Sequence, residues 1–321
     1  MSAARNLSLE TLMLDQDGRV LTARFSSPPL SFVTPALVRD LDRLTVAVDR
    51  DDSVGAVVLT GAEDGRFMTH ADPGDMSTLA LPQVGPAVLE QALRVGNLVL
   101  RIPGLVRTVE RHGGAAGAGL LWVHRWKRTT LRMNRSSTVY LAAVNGPAMG
   151  GGQELTLACD LRYAADAEYI RMGQMETLAG LIPGGGGTQR LPSMLGTTRA
   201  LEHMLEGRPV TAQEALELGI VQRLVAPDRL LAETQETAAR LARRSPVAIR
   251  ALKRSVYFAN NRPLRRGLDY ELAGFLAAAS TRAMTTRTLP TFLGEITRLG
   301  DTPFLADPEP WIDGTKVDQV T

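Results

Sequence analysis

Residues 142–160, AAVNGPAMGGGQELTLACD, decide the fold because they place three consecutive glycines and the carboxylate of Glu154 inside a largely apolar run. The stretch at 140–146 is typical of a buried strand, a glycine–proline turn follows it, and a helix is predicted from about Gly151. Backbone N–H groups at a helix N-terminus lack partners, the helix dipole is positive there, and glycines let a ligand approach closely. The pattern therefore predicts that Gly151 offers an N–H to an oxygen that gains negative charge, with Glu154 one turn away for proton chemistry.

A second glycine-rich segment, MGQMETLAGLIPGGGGTQRL at 172–191, repeats this combination. It supplies another acid, Glu176, in an apolar neighbourhood, and four glycines that lead into another helix start. Two carboxylates in one apolar cleft repel each other, and desolvation favours their neutral forms, so the pKa of at least one should rise. Such a pair supplies one acid and one base at neutral pH. We therefore expect Glu154 and Glu176 to act together.

Short apolar strands that alternate with helical patterns indicate an α/β architecture with parallel strand pairing. The segment 34–52 predicts a helix that Thr34 caps and that Pro35 begins. The predicted strands are RVLTARF (19–25), GAVVLTG (55–61), YLAAVNG (140–146) and LRYAAD (161–166).

From about residue 196 onward the pattern is purely helical, and it includes a capping box formed by Thr211 and Glu214. We therefore predict an α/β core over residues 1–195 and a helical C-terminal region over residues 196–321. The proline-rich stretch GDTPFLADPEPW near the C-terminus predicts a loosely held tail.

The bulk composition excludes several classes of protein. The 321 residues carry 36 basic and 34 acidic side chains, and a net charge of +2 gives no indication of a polyanionic partner. The single cysteine, Cys159, excludes an intramolecular disulfide, and its apolar setting predicts an inert buried thiol. No run approaches the roughly 20 apolar residues of a membrane span, so we expect a cytoplasmic protein without a membrane partner. No cluster of residues has the spacing of metal ligands.

The two glycine-rich segments, in their order and spacing, resemble the enoyl-CoA hydratase/isomerase family, the crotonases. The similarity extends upstream to GAVVLTGAEDGRFMTHAD (55–72) and downstream to ALEHMLEGRPVTAQEALELGIVQRLV (200–225). The resemblance implies the crotonase (ClpP-like) fold, a spiral of ββα units with a C-terminal helical trimerisation layer. It also implies a homotrimer or a dimer of trimers, and an acyl-CoA substrate in which coenzyme A is part of the substrate and no further cofactor or metal is used.

The resemblance also assigns the site. Crotonases hold the thioester oxygen between two backbone N–H groups, which match Ala71 and Gly151. In the family's hydratases two glutamates flank the α,β-double bond, and they match Glu154 and Glu176. By analogy, Glu176 exchanges a proton at Cα, while Glu154 orients and deprotonates the attacking water. The residues expected to bind the substrate are Met68, His70, Asp72, Gly150, Met175 and Gly184.

The chain departs from the family pattern at several positions. His70 stands where the family has a glycine, and Met175 stands where it often has a proline. The largest departure is an insertion at about 80–136, in the segment that forms a wall of the family's acyl pocket. We expect amphipathic helices with a solvated arginine face there. We also hypothesise that part of the insertion covers or reshapes the acyl site, with Trp122 and Trp126, which share a helix face, as its apolar lining.

Several functions remain open at this point. The leading prediction is an enoyl-CoA hydratase, a lyase that adds water across the double bond of a trans-2-enoyl-CoA. The first alternative is an enoyl-CoA delta-isomerase, which needs the same N–H donors and only one base, or an enzyme that catalyses another acyl-CoA reaction. A non-catalytic member that binds acyl-CoA or a protein is an alternative of another class. A nucleic acid partner for the basic insertion is not expected, because the sequence lacks an aromatic stacking platform.

Overall fold

Runs of aliphatic and β-branched residues form two sheets in the computed structural model, which describes residues 4–28, 30–77, 84–100, 102, 104–259 and 262–320. The four predicted strands are present as β2, β3, β4 and β6 of the following set. The strands of the described chain are β1 (Leu12–Asp17), β2 (Val20–Phe25), β3 (Ala56–Gly61), β4 (Val139–Val144), β5 (Ala148–Met149), β6 (Leu161–Ala165), β7 (Met172–Gly173) and β8 (Arg223–Val225).

The larger sheet has the strand order β1-β2-β3-β4-β6-β8. β1 pairs antiparallel with β2, and the other four pairings are parallel, which confirms the predicted parallel core. β3 and β4 are buried along their whole length, as expected for central parallel strands that are covered on both faces. β1 lies outside the predicted strands, because its exposed Asp15 and Asp17 weaken the apolar signal of an edge strand.

The prediction of a purely helical region after residue 196 is wrong at β8. These three residues extend the sheet by pairing parallel with β6. A strand of this length is too short to display an alternating apolar pattern, so the sequence gives no periodic signal for it. The sheet therefore draws one strand from the predicted helical region.

A second layer of short strands gives the fold its spiral character. The chain passes repeatedly from a long strand of the sheet to a short extended segment and then to a helix. β5 pairs parallel with β7, Ala148 of β5 forms a parallel bridge with Met68, and Ala71 forms a parallel bridge with Val33. Successive ββα units therefore place their short segments side by side, as the predicted spiral requires.

The helices follow the signals at their ends. Thr34 accepts a hydrogen bond from the Leu37 N–H at the start of α1, and Thr211 and Glu214 form the predicted capping box of α9. No helix within the described ranges combines the length and the apolar character needed to cross a membrane. The α-helices are α1 (Pro35–Val48), α2 (Pro73–Ser77), α3 (Pro86–Val99), α4 (Leu105–His112), α5 (Gly114–Arg135), α6 (Gly151–Ala158), α7 (Gly187–Leu195), α8 (Thr197–Glu206), α9 (Ala212–Glu217), α10 (Leu230–Leu241), α11 (Pro246–Arg254), α12 (Leu264–Ala279), α13 (Leu289–Leu299), α14 (Pro303–Ala306) and α15 (Glu309–Ile312).

The segment 80–136, which the sequence predicts to be an insertion, is largely helical in its described residues, as predicted, and contributes α3, α4 and α5. Residues 80–83, 101 and 103 of the predicted insertion lie outside the described residues. α5 packs against α1, where the guanidinium of Arg132 donates to the carboxylate of Asp42 at 3.0 Å. α3 by contrast has no buried residue and exposes several valine and leucine side chains. This segment thus combines one firmly packed helix, α5, with an exposed amphipathic one, α3.

A buried charged cluster joins the C-terminal helices to the sheet. The ammonium group of Lys253 on α11 donates to the carboxylate of Asp160 and to the carbonyl of Thr138, both at 2.7 Å. The hydroxyl of Tyr257 donates to the other oxygen of Asp160 at 3.0 Å. Because Asp160 lies between α6 and β6, this cluster fixes α11 to the core.

The predicted loosely held tail is wrong. α14 and α15 pack on α13, and the buried ring of Trp311 lies with its centroid 5.5 Å from that of Phe292 and 5.5 Å from that of Phe304. Aromatic residues scattered among prolines give no helical period, but they cluster here and bury a large apolar area.

Candidate active site

Three successive ββα units bring the ends of their short strands to one edge of the second layer. Ala71 ends the first short segment, Gly151 follows β5, and Glu176 follows β7. Because these segments are paired in parallel, their carboxyl ends point the same way. The carboxyl edge of parallel strands is where open α/β sheets usually bind ligands, so the candidate site lies here.

The peptide N–H groups of Ala71 and Gly151 have no hydrogen-bond acceptor among the residues that the structure describes. Their neighbours are paired: the Gly150 N–H donates to a carbonyl of β7 at 2.7 Å, and the Gly152 N–H donates to the carbonyl of Thr69 at 3.0 Å. The two unpaired donors belong to adjacent segments, because a Cβ built on Gly151 would lie 4.0 Å from the Ala71 nitrogen. Such a pair suits an oxygen that gains negative charge.

The other two positions of the triplet require glycine because a side chain would not fit at either of them. Gly150 has a φ of +51°, and a Cβ on it would lie 3.0 Å from the Cβ of His70 and 3.1 Å from Oε1 of Glu176. A Cβ on Gly152 would overlap the carbonyl of Met68. Gly150 therefore keeps the cleft open, and Gly152 lets α6 pack against the neighbouring short strand.

Glu154 on α6 is 3% exposed and is held by the backbone of the second glycine-rich segment. Its Oε1 accepts hydrogen bonds from the N–H of Gly185 at 2.6 Å and of Gly187 at 2.9 Å. Burial raises the pKa of the Glu154 carboxyl, while these N–H donors and the charge of Arg190 act in the opposite direction. One oxygen of a buried acid is thus fixed by hydrogen bonds.

Glu176 begins the 3₁₀ turn after β7, and its Oε1 lies 3.1 Å from the position that a Cβ on Gly150 would occupy. Burial, followed by the charge of Glu154, raises the pKa of the Glu176 carboxyl to about 7, while backbone N–H groups lower it. Its Oε2 is buried without a hydrogen-bond partner among the described residues. The expectation that at least one acid of the pair has a raised pKa is therefore confirmed, and the pKa of both is raised.

Comparison with known proteins identifies the family of this chain. The sequence profile of the enoyl-CoA hydratase/isomerase family matches residues 111–293, which is more than half of the chain. The chain belongs to the enoyl-CoA hydratase/isomerase family. It is similar to the "Probable enoyl-CoA hydratase" of Rhizobium meliloti, with 33% identity over 276 residues that cover 86% of this chain and 92% of the relative. It is also similar to the short-chain-enoyl-CoA hydratase of Clostridium acetobutylicum, with 28% identity over 269 residues that cover 83% and 87%.

Solved structures of other proteins have the same fold. The enoyl-CoA hydratase of Bacillus anthracis superimposes with a TM-score of 0.71 at 27% identity, over 89% of this chain and 97% of that chain. DspI of Pseudomonas aeruginosa gives a TM-score of 0.72 at 26% identity, over 91% and 97%. The predicted crotonase fold is confirmed, and the protein is an enzyme of this family. Trimerisation through the C-terminal helices stays a prediction.

His70, which departs from the family's glycine, lies beside the cleft of this enoyl-CoA hydratase/isomerase. Its Nδ1 lies 2.8 Å from the carbonyl oxygen of Ala71. Because a carbonyl only accepts hydrogen bonds, Nδ1 carries the proton, and in the neutral ring Nε2 is an acceptor. The ring also packs against Phe32, with centroids 5.0 Å apart. The imidazole is therefore fixed next to one of the two unpaired N–H donors.

The remaining predicted substrate-binding residues have different environments. The side chain of Met68 is fully buried in the hydrophobic core, so only its backbone borders the site. The carboxylate of Asp72 accepts a hydrogen bond from the Gly74 N–H at 2.7 Å and thereby caps α2. Met175 is half-buried next to Glu176, and Gly184 is exposed with open space on its Cβ side.

Some residues of the site are absent from the sequence prediction. Arg190 at the start of α7 donates to the carbonyl of Gly185 at 3.2 Å and to the Asn134 side chain at 3.2 Å. Its only sequence signal is its place three positions after the last glycine of the second glycine run. Of the two hypothesised lining residues, Trp126 is buried beside Gly185, and Trp122 is partly buried against the core.

Proposed function

We propose that this enzyme is an enoyl-CoA hydratase that adds water across the double bond of a trans-2-enoyl-CoA. The observation that carries the proposal is the placement of the buried Glu154 and the half-buried Glu176, both with raised pKa, beside the unpaired N–H groups of Ala71 and Gly151. The names of the relatives support the substrate class. Coenzyme A enters as part of the substrate, and no other cofactor is included in the proposal.

The two unpaired N–H groups stabilise the thioester oxygen. Addition of water at Cβ turns the thioester into an enolate, so negative charge develops on that oxygen. Donors that are already in place for this charge need no reorganisation, and removal of one such donor typically raises the barrier by about 3–4 kcal/mol. In the proposal these donors are Ala71 and Gly151, and the α6 dipole adds to their effect.

The two acids divide the proton transfers. Glu154, whose ionised form is favoured by the N–H groups of Gly185 and Gly187 and by Arg190, takes a proton from water while the water oxygen forms a bond to Cβ. Glu176, whose pKa of about 7 keeps a large protonated fraction at neutral pH, gives its proton to Cα. Transfer of one proton from Glu154 to Glu176 then restores the starting state.

The experiment that tests this proposal compares two substrates. With crotonyl-CoA, hydration removes the absorbance of the conjugated thioester, and we expect this loss. With a 3-enoyl-CoA, a delta-isomerase instead creates that absorbance, so activity on this substrate alone would replace the hydratase by the isomerase. Binding of acyl-CoA without turnover of either substrate would identify a non-catalytic family member.

A further inference from the structure

We propose that Trp126 on α5 is a positioning residue for the carboxyl group of Glu154. This inference rests on the proposed function, because it assigns Trp126 a part in the proton transfer that Glu154 performs there. It makes α5 an integral part of the acid site.

Contacts at Gly185 carry the inference. The indole N–H of Trp126 donates to the carbonyl of Gly185 at 3.2 Å, and the N–H of Gly185 donates to Oε1 of Glu154 at 2.6 Å. A Cβ built on Gly185 would overlap both the indole nitrogen and Oε2 of Glu154. The indole nitrogen and the second carboxylate oxygen therefore face the same bare side of Gly185, and any side chain there would separate them.

Burial strengthens this coupling. The side chains of Trp126 and Glu154 are 7% and 3% exposed, so little water reaches the space between them. An apolar ring beside a carboxyl raises its pKa, whereas a nearby N–H dipole stabilises the ionised form. The charged groups that act on this pair are Arg190, which lowers the pKa of Glu154, and Glu176 across the cleft, whose own pKa Glu154 raises.

α5 holds Trp126 rigidly because it is anchored on two sides. Arg132 joins α5 to α1 through Asp42, and the Asn134 amide donates to the carbonyl of Ala158 at the end of α6 at 2.9 Å. The same Asn134 accepts from Arg190, which also donates to Gly185. Trp126 therefore belongs to a hydrogen-bonded frame around Glu154.

The test removes the indole N–H and changes as little else as possible. Trp126→Phe is the first variant, and site-specific replacement of Trp126 by benzothienylalanine, which keeps the ring shape without the N–H, is the second. The matched control is Trp311→Phe, because the buried Trp311 indole nitrogen has no hydrogen-bond partner in the described chain. Turnover of crotonyl-CoA is measured over pH together with thermal unfolding, and the Glu154 carboxyl is titrated by ¹³C NMR, its signal identified from Glu154→Gln.

We expect both Trp126 variants to lower kcat about tenfold, with KM changed less than about twofold, because one hydrogen bond in a charged network is lost. The acidic limb of the pH profile and the ¹³C titration of Glu154 should both move to higher pH, while Trp311→Phe leaves them unchanged. Variants that fold and keep the kcat and the Glu154 titration of the parent would overturn the inference. The titration needs no turnover, so a parent protein without hydratase activity would refute the proposed function but not the positioning of Glu154.

Discussion

Glu154 and Gly187 are joined by a hydrogen bond of 2.9 Å from the Gly187 N–H to Oε1, although 33 positions of sequence separate them. The bond links α6 of one ββα unit to α7 of the next. It fixes one carboxylate oxygen and leaves Oε2 to face the Gly185 side of the cleft.

Replacing either acid by its amide should therefore remove proton transfer and preserve the fold. We expect Glu154→Gln and Glu176→Gln each to lower kcat for crotonyl-CoA by about 10²–10⁴-fold, the usual contribution of general acid–base catalysis. Glu168→Gln, at an exposed position outside the site, is the control. Steady-state kinetics on folded variants test this prediction. If both variants kept the kcat of the parent protein, the two-acid mechanism would be contradicted.

The raised pKa of Glu176 predicts the alkaline limb of the pH profile. In the proposed mechanism Glu176 must be protonated, so kcat/KM should fall as the pH rises through about 7, the pKa of this group. On the acidic side kcat/KM should fall as Glu154 becomes protonated. This fall should begin at a pH above the ordinary pKa of a glutamate, because burial raises the pKa of Glu154. Measurement of kcat/KM from pH 4 to 10 tests both limbs. A profile that is flat around neutral pH would exclude Glu176 as the acid.

The glycine triplet gives a prediction about stability. A Cβ on Gly152 would overlap the carbonyl of Met68, so we expect Gly152→Ala to lower the free energy of unfolding by about 3 kcal/mol. Gly294→Ala is the matched control, because Gly294 lies inside α13 with open space on its Cβ side. There alanine should stabilise by about 0.5–1 kcal/mol through helix propensity. Urea unfolding monitored by circular dichroism compares the two, and equal effects would speak against the close packing of α6.

The buried pair of Lys253 and Asp160 should be important for attachment of the C-terminal helices. We expect Lys253→Met to lower the free energy of unfolding by about 3 kcal/mol, because it leaves the partly buried charge of Asp160 without its cation. Arg208→Met, which breaks the exposed pair of Arg208 with Glu214, should have little effect. Chemical denaturation of both variants provides the comparison, and similar midpoints would show that the buried cluster is dispensable.

Exposed apolar residues on α12 support the prediction of a trimer or a dimer of trimers. Leu268 and Phe275 are 53% and 66% exposed and border an apolar groove of about 640 Å³ between α11 and α12. Monomers rarely leave such faces uncovered. We expect light scattering to give three or six times the chain mass of 34.6 kDa, and Phe275→Glu to reduce it. Met13→Glu, at an exposed position on β1, should not. A monomeric parent protein would refute the prediction.

The sequence was most informative where chemistry and local structure coincide. Apolar runs predict the strands around the glycine triplet. The glycines, which are poor residues for a core, predict the start of α6 near Gly151 and draw attention to the pair of acids. The sequence does not predict β8, because a strand of three residues is too short to show an alternating apolar pattern. It does not predict β1, because the exposed polar residues of this edge strand weaken its apolar pattern. Trp126 could only be suspected of lining the site, since its contact with Gly185 spans 59 positions and depends on how α5 packs.

The unpaired N–H groups of Ala71 and Gly151 belong to different coils of the spiral, and this has a consequence for the folding equilibrium. A thioester that engages both would add a contact between two coils that already pair through β3 and β4. Because such a ligand can bind only the assembled coils, its binding free energy adds to the stability of the native state by mass action. Saturation with substrate should therefore raise the melting temperature, even in a variant in which Glu154 and Glu176 are both replaced by glutamine.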